Sequence, residues 1–205
     1  QRVALLTKLP GHVVHDNMEL QVVHYENGQE GTTNSGGRYT AHFDSLAPDP
    51  EIPCCHIAHR HPPCRPCRMA TVLYNLSEKG GATAFPLAGK NMTAESLEEW
   101  RSSAASRDSS YCSDNAPGLR IPPQLGQAIL WYNHQMDHLA TYGDEEKELP
   151  LLGPLDRSSL HAGCPSIQKS VSLLSDEVHM HAPGKWIANH WIEASNIAGE
   201  DEKHL

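Results

Sequence analysis

The sequence predicts one mostly β domain, a jelly-roll or barrel-like double sheet with a few flanking helices. Three observations carry that expectation. Fifteen prolines and 15 glycines spread turns along 205 residues. The apolar runs between those turns are short, and long stretches of helical periodicity are scarce. With 39% hydrophobic residues, the chain can bury one good core. Residues 1–193 are read as that domain and 194–205 as an acidic tail.

The elements follow in chain order. Residues 2–8 read as the last turns of a helix that Pro10 and Gly11 stop. The chain therefore opens inside an element, on Gln1 rather than Met. The domain is expected to be N-terminally incomplete, with any targeting or anchoring segment lying upstream. Leu20-Gln21-Val22-Val23-His24-Tyr25 is a strand of β-branched and aromatic residues. A Gly-, Asn-, Glu- and Thr-rich loop over 26–37 leads to a strand over 38–44. Residues 45–67 hold six prolines, at 48, 50, 53, 62, 63 and 66, and are expected to form a long surface loop.

Met69 to Leu76 is a strongly apolar strand; Gly80-Gly81 breaks it before a short strand, Ala82 to Pro86. Thr93 is placed to cap a helix running to about Arg101, with Glu95 in its first turn. Residues 102–118 are loop, Gln127 to Tyr132 is a strand, and 133–157 is a polar, acidic loop. Ser159 to Cys164 is a short strand, 166–183 an irregular excursion, and Gly184 to Ile192 the last strand.

Charge excludes some partners. The net charge is −9, the sequence pI about 5.8, and no Lys/Arg run stands out. Nucleic acid and anionic membrane surfaces are poor matches for such a chain. No apolar run approaches the roughly 18 residues that a helix needs to span a bilayer.

The chemistry begins at His42-Phe43-Asp44. A His-X-Asp step on a strand puts an imidazole and a carboxylate on the same face. One further imidazole completes a two-His-one-carboxylate set, which leaves open positions on a metal and suits non-heme Fe(II) oxygenases. His161, on the short strand Ser159 to Cys164, is the best candidate. His56, His59, His61, His134, His138, His179 and His181 lie in loop-like stretches and are expected to be solvated. On the last strand, alternation puts Lys185, Ile187, Asn189 and Trp191 on one face. A lysine opening an apolar strand either reaches solvent or meets the carboxylate of a bound ligand.

The ordered set Leu20 to Tyr25, Tyr39 to Asp44, Cys67 to Leu76, Gly80 to Pro86, Gly126 to Asn133, Ser159 to Pro165 and Gly184 to Ile192 resembles the catalytic domain of prolyl 4-hydroxylases. These are 2-oxoglutarate- and Fe(II)-dependent dioxygenases. The resemblance runs from about residue 2 to residue 193, and together its motifs are highly specific. It implies a double-stranded β-helix, jelly-roll or cupin-like, with iron held by His42, Asp44 and His161. It implies that Lys185 pairs with the distal carboxylate of 2-oxoglutarate, helped by Tyr25 and Thr83, and that Tyr39, Arg68 and Trp191 line a peptide groove. The implied reaction is 4-hydroxylation of peptidyl proline, coupled to decarboxylation of 2-oxoglutarate to succinate and CO2. O2 is consumed and ascorbate supports turnover. A proline-rich or collagen-like peptide would be the substrate, and the endoplasmic reticulum or secretory pathway the compartment.

The chain departs from the family pattern in three places. Residues 26–37 and 134–157 lengthen two connections, and about 168–183 lengthen the path from His161 to Lys185. Lys169 is therefore a rival for the cosubstrate role. A dioxygenase with a non-proline substrate, and a catalytically silent metal-binding or interaction domain of the same fold, are the alternatives these insertions leave open. Of six cysteines, Cys54, Cys55, Cys64 and Cys67 crowd into the proline-rich loop, where either disulfides or a zinc site on Cys64-X-X-Cys67 would fit. By resemblance to plant and algal enzymes, Cys112 and Cys164 are expected to pair. Asn91-Met92-Thr93 is a glycosylation sequon usable in a secretory context, whereas Asn75-Leu76-Ser77 lies in or beside a strand and is expected to be idle. The terminal Glu202-Lys203-His204-Leu205 is only a faint match to an ER-retention tail.

Overall fold

The computed structural model describes residues 2–9, 11, 14, 19–29, 36–46, 54–55, 65–103, 110–135, 153–168 and 184–193. Lys169, most of the excursion after it and the tail lie outside the described residues.

Two four-stranded antiparallel sheets form the body. The larger contains β1 (Leu20–Glu26), β6 (Arg68–Asn75), β9 (Ala128–Tyr132) and β12 (Gly184–Glu193), in the spatial order β1-β12-β6-β9. The smaller contains β3 (Tyr39–His42), β7 (Thr83–Phe85), β8 (Leu119–Ile121) and β10 (His161–Gly163), in the order β3-β10-β7-β8. Two pairings of two-residue strands depart from the sequence reading. β2 (Gly28–Gln29) pairs in parallel with β11 (Ile167–Gln168), so two stretches read as loop meet each other. Within the proline-rich loop, β4 (Cys54–Cys55) pairs in parallel with β5 (Arg65–Pro66).

Alternation decides what faces inward. Leu73 of β6, Ile129 and Trp131 of β9, Ile187 of β12 and Phe85 of β7 form a buried cluster, joined by Val23, Tyr25 and Ile121. Fully burying one such aliphatic or aromatic side chain contributes about 1.5–3 kcal/mol relative to leaving it in water. The opposite parity of the larger sheet, Ala70, Val72 and Ile192, packs with Val3 and Ala4 of helix α1 (Arg2–Thr7). Helix α2 (Ala94–Ser102) covers the smaller sheet with Leu97, against Leu87 and Leu160. Thr93 caps α2 as the sequence predicts, accepting from the Ser96 N–H, while the Ser96 hydroxyl satisfies the Thr93 N–H.

The strand expected over 38–44 is shorter. The ladder ends at His42, and Asp44 lies beyond it in a bend. The loop read over 102–118 gives way to β8, whose Leu119, Arg120 and Ile121 pair with Phe85, Ala84 and Thr83. Asn75 is buried, so the Asn75-Leu76-Ser77 sequon is closed; Asn91 is exposed.

Candidate metal centre and its cavity

Antiparallel pairing of β3 with β10 puts His42 directly opposite His161, with ring centroids 4.3 Å apart. The bend after β3 then turns Asp44 back toward both. His42 Nε2 lies 3.5 Å from Asp44 Oδ1, and His161 Nε2 lies 3.6 Å from Asp44 Oδ2. One ligand atom from each of the three falls within 4.8 Å of the others, and this is the one such group among the described residues.

The donor set suits a divalent metal. His42 Nδ1 donates to the Thr40 carbonyl at 2.8 Å, and His161 Nδ1 donates to the Ser159 carbonyl at 2.9 Å. A carbonyl only accepts, so each Nδ1 carries a proton, and in the neutral ring Nε2 is left as the lone pair that faces the cluster. Burial acts to raise the Asp44 carboxyl, but the His42 hydrogen bond, the charge of His161 and the Thr71 hydroxyl outweigh it and hold the group at about 2. Asp44 is thus an anion at any physiological pH. Burial also lowers the His161 imidazole from its ordinary value, against the pull of Asp44, and so favours the neutral, ligating form. Two imidazoles and one carboxylate, arranged on one side, could hold Fe(II) with positions left open.

The cluster lines a cavity of about 440 Å³ between the two sheets. Tyr25, Thr83, Ile187 and Lys185 line it with the cluster, and Tyr39, Arg68 and Trp191 join them. Lys185 is only 1% exposed, and its Nζ donates to Thr83 Oγ1 at 3.3 Å. Burial without a facing carboxylate lowers this ammonium to about 8. Tyr25 is raised by burial and by the neighbouring Tyr39 and Asp44, so its phenol keeps its proton. The cavity-facing set Lys185, Ile187, Asn189 and Trp191 is the one that alternation predicts. At the rim, the Arg68 guanidinium lies 3.7 Å above the Trp191 ring, and its Nε is 3.8 Å from the buried Glu193 carboxylate. Arg68 Nη1 also reaches the Asp44 carbonyl at 3.4 Å.

All the single residues chosen from the sequence for the metal, the cosubstrate and the peptide therefore meet in one cavity. Others went unseen. Thr71 donates to Asp44 Oδ2 at 2.7 Å and is held by Asn133 and Trp131. A threonine in the middle of an apolar strand, on the same parity as Leu73, was the available signal. His134, expected to be solvated, is 1% exposed. Its Nδ1 donates to the Gly153 carbonyl at 2.9 Å, leaving Nε2 to accept from Ser45 Oγ at 2.8 Å, so both ring nitrogens are satisfied and burial costs little.

Cys112 and Cys164 form a disulfide, which ties the turn Ser110–Cys112 to the end of β10. Cys67 is also disulfide-bonded, so it is not available as a zinc ligand.

No family model matches the chain. Individual relatives do. The chain is 34% identical over 198 residues to the human protein named transmembrane prolyl 4-hydroxylase, a match covering 94% of this chain and 33% of that protein. It is 30% identical over 181 residues to prolyl 4-hydroxylase 2 of Arabidopsis thaliana, covering 87% of this chain and 42% of that protein. It thus spans between a third and a half of the length of these relatives. Among solved structures, the viral collagen prolyl hydroxylase of Paramecium Bursaria Chlorella virus-1 aligns with 94% of this chain and 64% of that one, at 19% identity and a TM-score of 0.43. Over 94% of its length the chain is thus similar to a stretch of proteins named prolyl 4-hydroxylases.

Proposed function

We propose that the chain is the catalytic domain of a 2-oxoglutarate- and Fe(II)-dependent dioxygenase that hydroxylates peptidyl proline at C4. The observation that carries this reading is a single cavity lined both by the His42, Asp44 and His161 cluster and by the buried Lys185. Residues 1–193 form the domain, and the eight strands of the two sheets are taken as a double-stranded β-helix. Two four-stranded sheets with Greek-key-like crossovers are what a jelly roll requires. The names of the relatives support proline as the substrate.

His42, Asp44 and His161 would hold Fe(II). When bound, the iron supplies O2 activation coupled to decarboxylation of 2-oxoglutarate, which yields succinate, CO2 and the hydroxylated product. The protein's share is binding and positioning. The Lys185 ammonium pairs with the distal carboxylate of 2-oxoglutarate in a site dry enough to strengthen that contact. Thr83 Oγ1 accepts from Lys185, so its own hydrogen is left to donate to the same carboxylate. Tyr25, kept protonated, is a second donor. Val23, Leu73 and Ile187 line the cavity and exclude water around the cosubstrate.

Tyr39, Arg68 and Trp191 offer flat faces and one cation to an extended, proline-rich peptide. Such peptides adopt polyproline II and dock on aromatic surfaces. Ascorbate would keep the iron in its ferrous form. The disulfides at Cys67 and Cys112–Cys164 support the secretory pathway as the compartment. No described helix is long and apolar enough to cross a membrane.

The test is 2-oxoglutarate turnover with Fe(II), ascorbate and a panel of proline-rich and collagen-like peptides, scored for succinate and 4-hydroxyproline together. Coupled formation of both is expected. Succinate with hydroxylation of another residue would reassign the substrate. Bound iron with no turnover on any peptide would mark a silent domain.

A further inference from the structure

We propose that Trp131, Asn133 and Thr71 form a one-way hydrogen-bond relay that fixes the orientation of the Asp44 carboxylate. They act as positioning residues for the metal site, and the proposal rests on the iron-site reading above.

Each direction in the relay is fixed by chemistry. The Trp131 indole has a donor and no acceptor, and it donates to Asn133 Oδ1 at 3.1 Å. That settles the amide, whose Nδ2 then donates to Thr71 Oγ1 at 3.0 Å. With its lone pair occupied, the Thr71 hydroxyl turns its one hydrogen to Asp44 Oδ2, at 2.7 Å. Reversing any step would set two donors or two acceptors face to face. Thr71 and Asn133 are fully buried, so no water competes for these bonds.

The relay is itself anchored. The Asn133 backbone N–H donates to the Met69 carbonyl at 2.8 Å, and the Asn133 carbonyl accepts from Asp156 at 2.9 Å. Thr71 and Trp131 are ladder partners in the larger sheet. The Trp131 ring also lies 4.7 Å from the His161 ring, centroid to centroid, with Phe85 edge-on behind it at 5.3 Å. One tryptophan therefore supports two members of the cluster, Asp44 by its N–H and His161 by its ring.

The need for such a device follows from the fold. His42 and His161 sit in a strand ladder, but Asp44 lies in the bend beyond β3, where no ladder holds it. A carboxylate there is free to rotate unless something outside the ladder holds it. The Thr71 hydroxyl on Oδ2 fixes that rotation, so that Oδ1 faces His42 Nε2 and Oδ2 faces His161 Nε2. Hydrogen bonds of this kind to a ligating carboxylate orient it toward the metal.

The test is a titration of the full chain with Co(II), reading affinity and visible absorption, with thermal melts of the metal-free proteins as a folding control. Thr71→Val keeps the shape and removes the hydroxyl. We expect it to bind Co(II) about 10- to 100-fold more weakly and to change the absorption band as the Asp44 carboxylate turns. Thr71→Ser should restore both. Trp131→Phe keeps a ring on His161 and removes the N–H, so it should show a smaller change in the same direction. Should Thr71→Val fail to fold, the Trp131→Phe titration decides. A folded Thr71→Val, or failing that a Trp131→Phe, with wild-type affinity and an unchanged band overturns the relay alone. Failure of the wild-type chain to take up Co(II) overturns the iron-site reading and the relay with it.

Discussion

Gly80 stands so close to Lys185 that a Cβ on it would lie 2.4 Å from the Lys185 Cβ. Its φ of +135° is also one that side chains resist. Next to it, a Cβ on Gly81 would lie 1.9 Å from the Cys164 carbonyl oxygen. The glycine pair thus lets the β6–β7 connection pass between the strand carrying Lys185 and the one carrying His161. Gly80→Ala should cost stability and displace the lysine while sparing the metal cluster. The expected result is at least a 10-fold loss of 2-oxoglutarate affinity, of the size found when a charge-assisted contact is broken, with Mn(II) affinity near that of the parent. Calorimetric titration of each ligand checks this, and equal 2-oxoglutarate affinities would refute it.

Lys185 should make cosubstrate binding fall with rising pH. Its folded value of about 8 lies below the ordinary 10.5. Above about 8 the folded protein loses the proton that a dicarboxylate needs. Affinity for 2-oxoglutarate, measured with saturating Mn(II), should drop by up to about tenfold per pH unit there. Lys185→Ala should bind weakly and without that slope. Stability moves the other way. Between 8 and 10.5 the unfolded chain holds more protons than the folded one, so stability rises with pH through this window. Below about 8 the full cost of burying the charge is present. A urea series from pH 7 to 10 reads this sign directly; a decline attributable to Lys185 across the window would contradict it.

His161 closes the cluster, so His161→Ala should abolish measurable Fe(II) or Mn(II) binding while leaving the fold intact. The ring sits against Trp131 and Phe85, and its loss leaves a small cavity costing about 1–3 kcal/mol. Equilibrium dialysis against Mn(II), with circular dichroism as control, separates the two effects. Full metal binding without His161 would sink the assignment.

What the sequence made legible is what a short period encodes. Two-residue alternation picked out Lys185, Ile187, Asn189 and Trp191 as one face because β12 is long and regular. His42 and Asp44 do meet, but for a partly different reason than His-X-Asp alternation. The pair converges because Asp44 leaves the strand, and a bend, not alternation, aims its carboxylate. The opposition of His42 and His161 depends on register between distant strands, which no local pattern carries. Asn133 and Trp131 were invisible for the same reason, since each is unremarkable alone and acquires its role only from its neighbours. His134 misled because polar surroundings in sequence were taken for water in space. Ser45 and the Gly153 carbonyl give its two nitrogens buried partners instead.

The rim of the cavity should govern the peptide alone. Arg68 lies over the Trp191 ring and beside the Glu193 carboxylate. Arg68→Ala removes a cation and a stacking surface worth about 1–2 kcal/mol. The expected outcome is a rise of roughly 5- to 30-fold in KM for a proline-rich peptide, with peptide-independent 2-oxoglutarate decarboxylation little changed. A parallel loss of the uncoupled reaction would place Arg68 in the metal site instead, through its contact with the Asp44 carbonyl.

The Cys112–Cys164 disulfide should act on stability first and on the metal second. It spans 52 residues of chain, so its loss releases the unfolded state by about 4 kcal/mol in the loop-entropy description. That is a large share of the 5–15 kcal/mol that holds a typical domain. Cys164 lies at the end of β10, where its N–H donates to the Ala82 carbonyl, and Tyr111, beside Cys112, turns its hydroxyl to the Ala41 N–H of β3. The bridge therefore ties together the ends of the two strands that carry His42 and His161. Replacing both cysteines by serine should lower the urea midpoint strongly. In the fraction still folded, it should weaken Mn(II) binding by no more than a few-fold, because the His42–His161 ladder and Thr71 remain. Urea denaturation followed by Mn(II) titration below the transition measures both. An unchanged midpoint would remove the bridge from the stability of the domain. Complete loss of metal from a folded variant would show that the bridge, rather than the ladder, sets the distance between the two histidines.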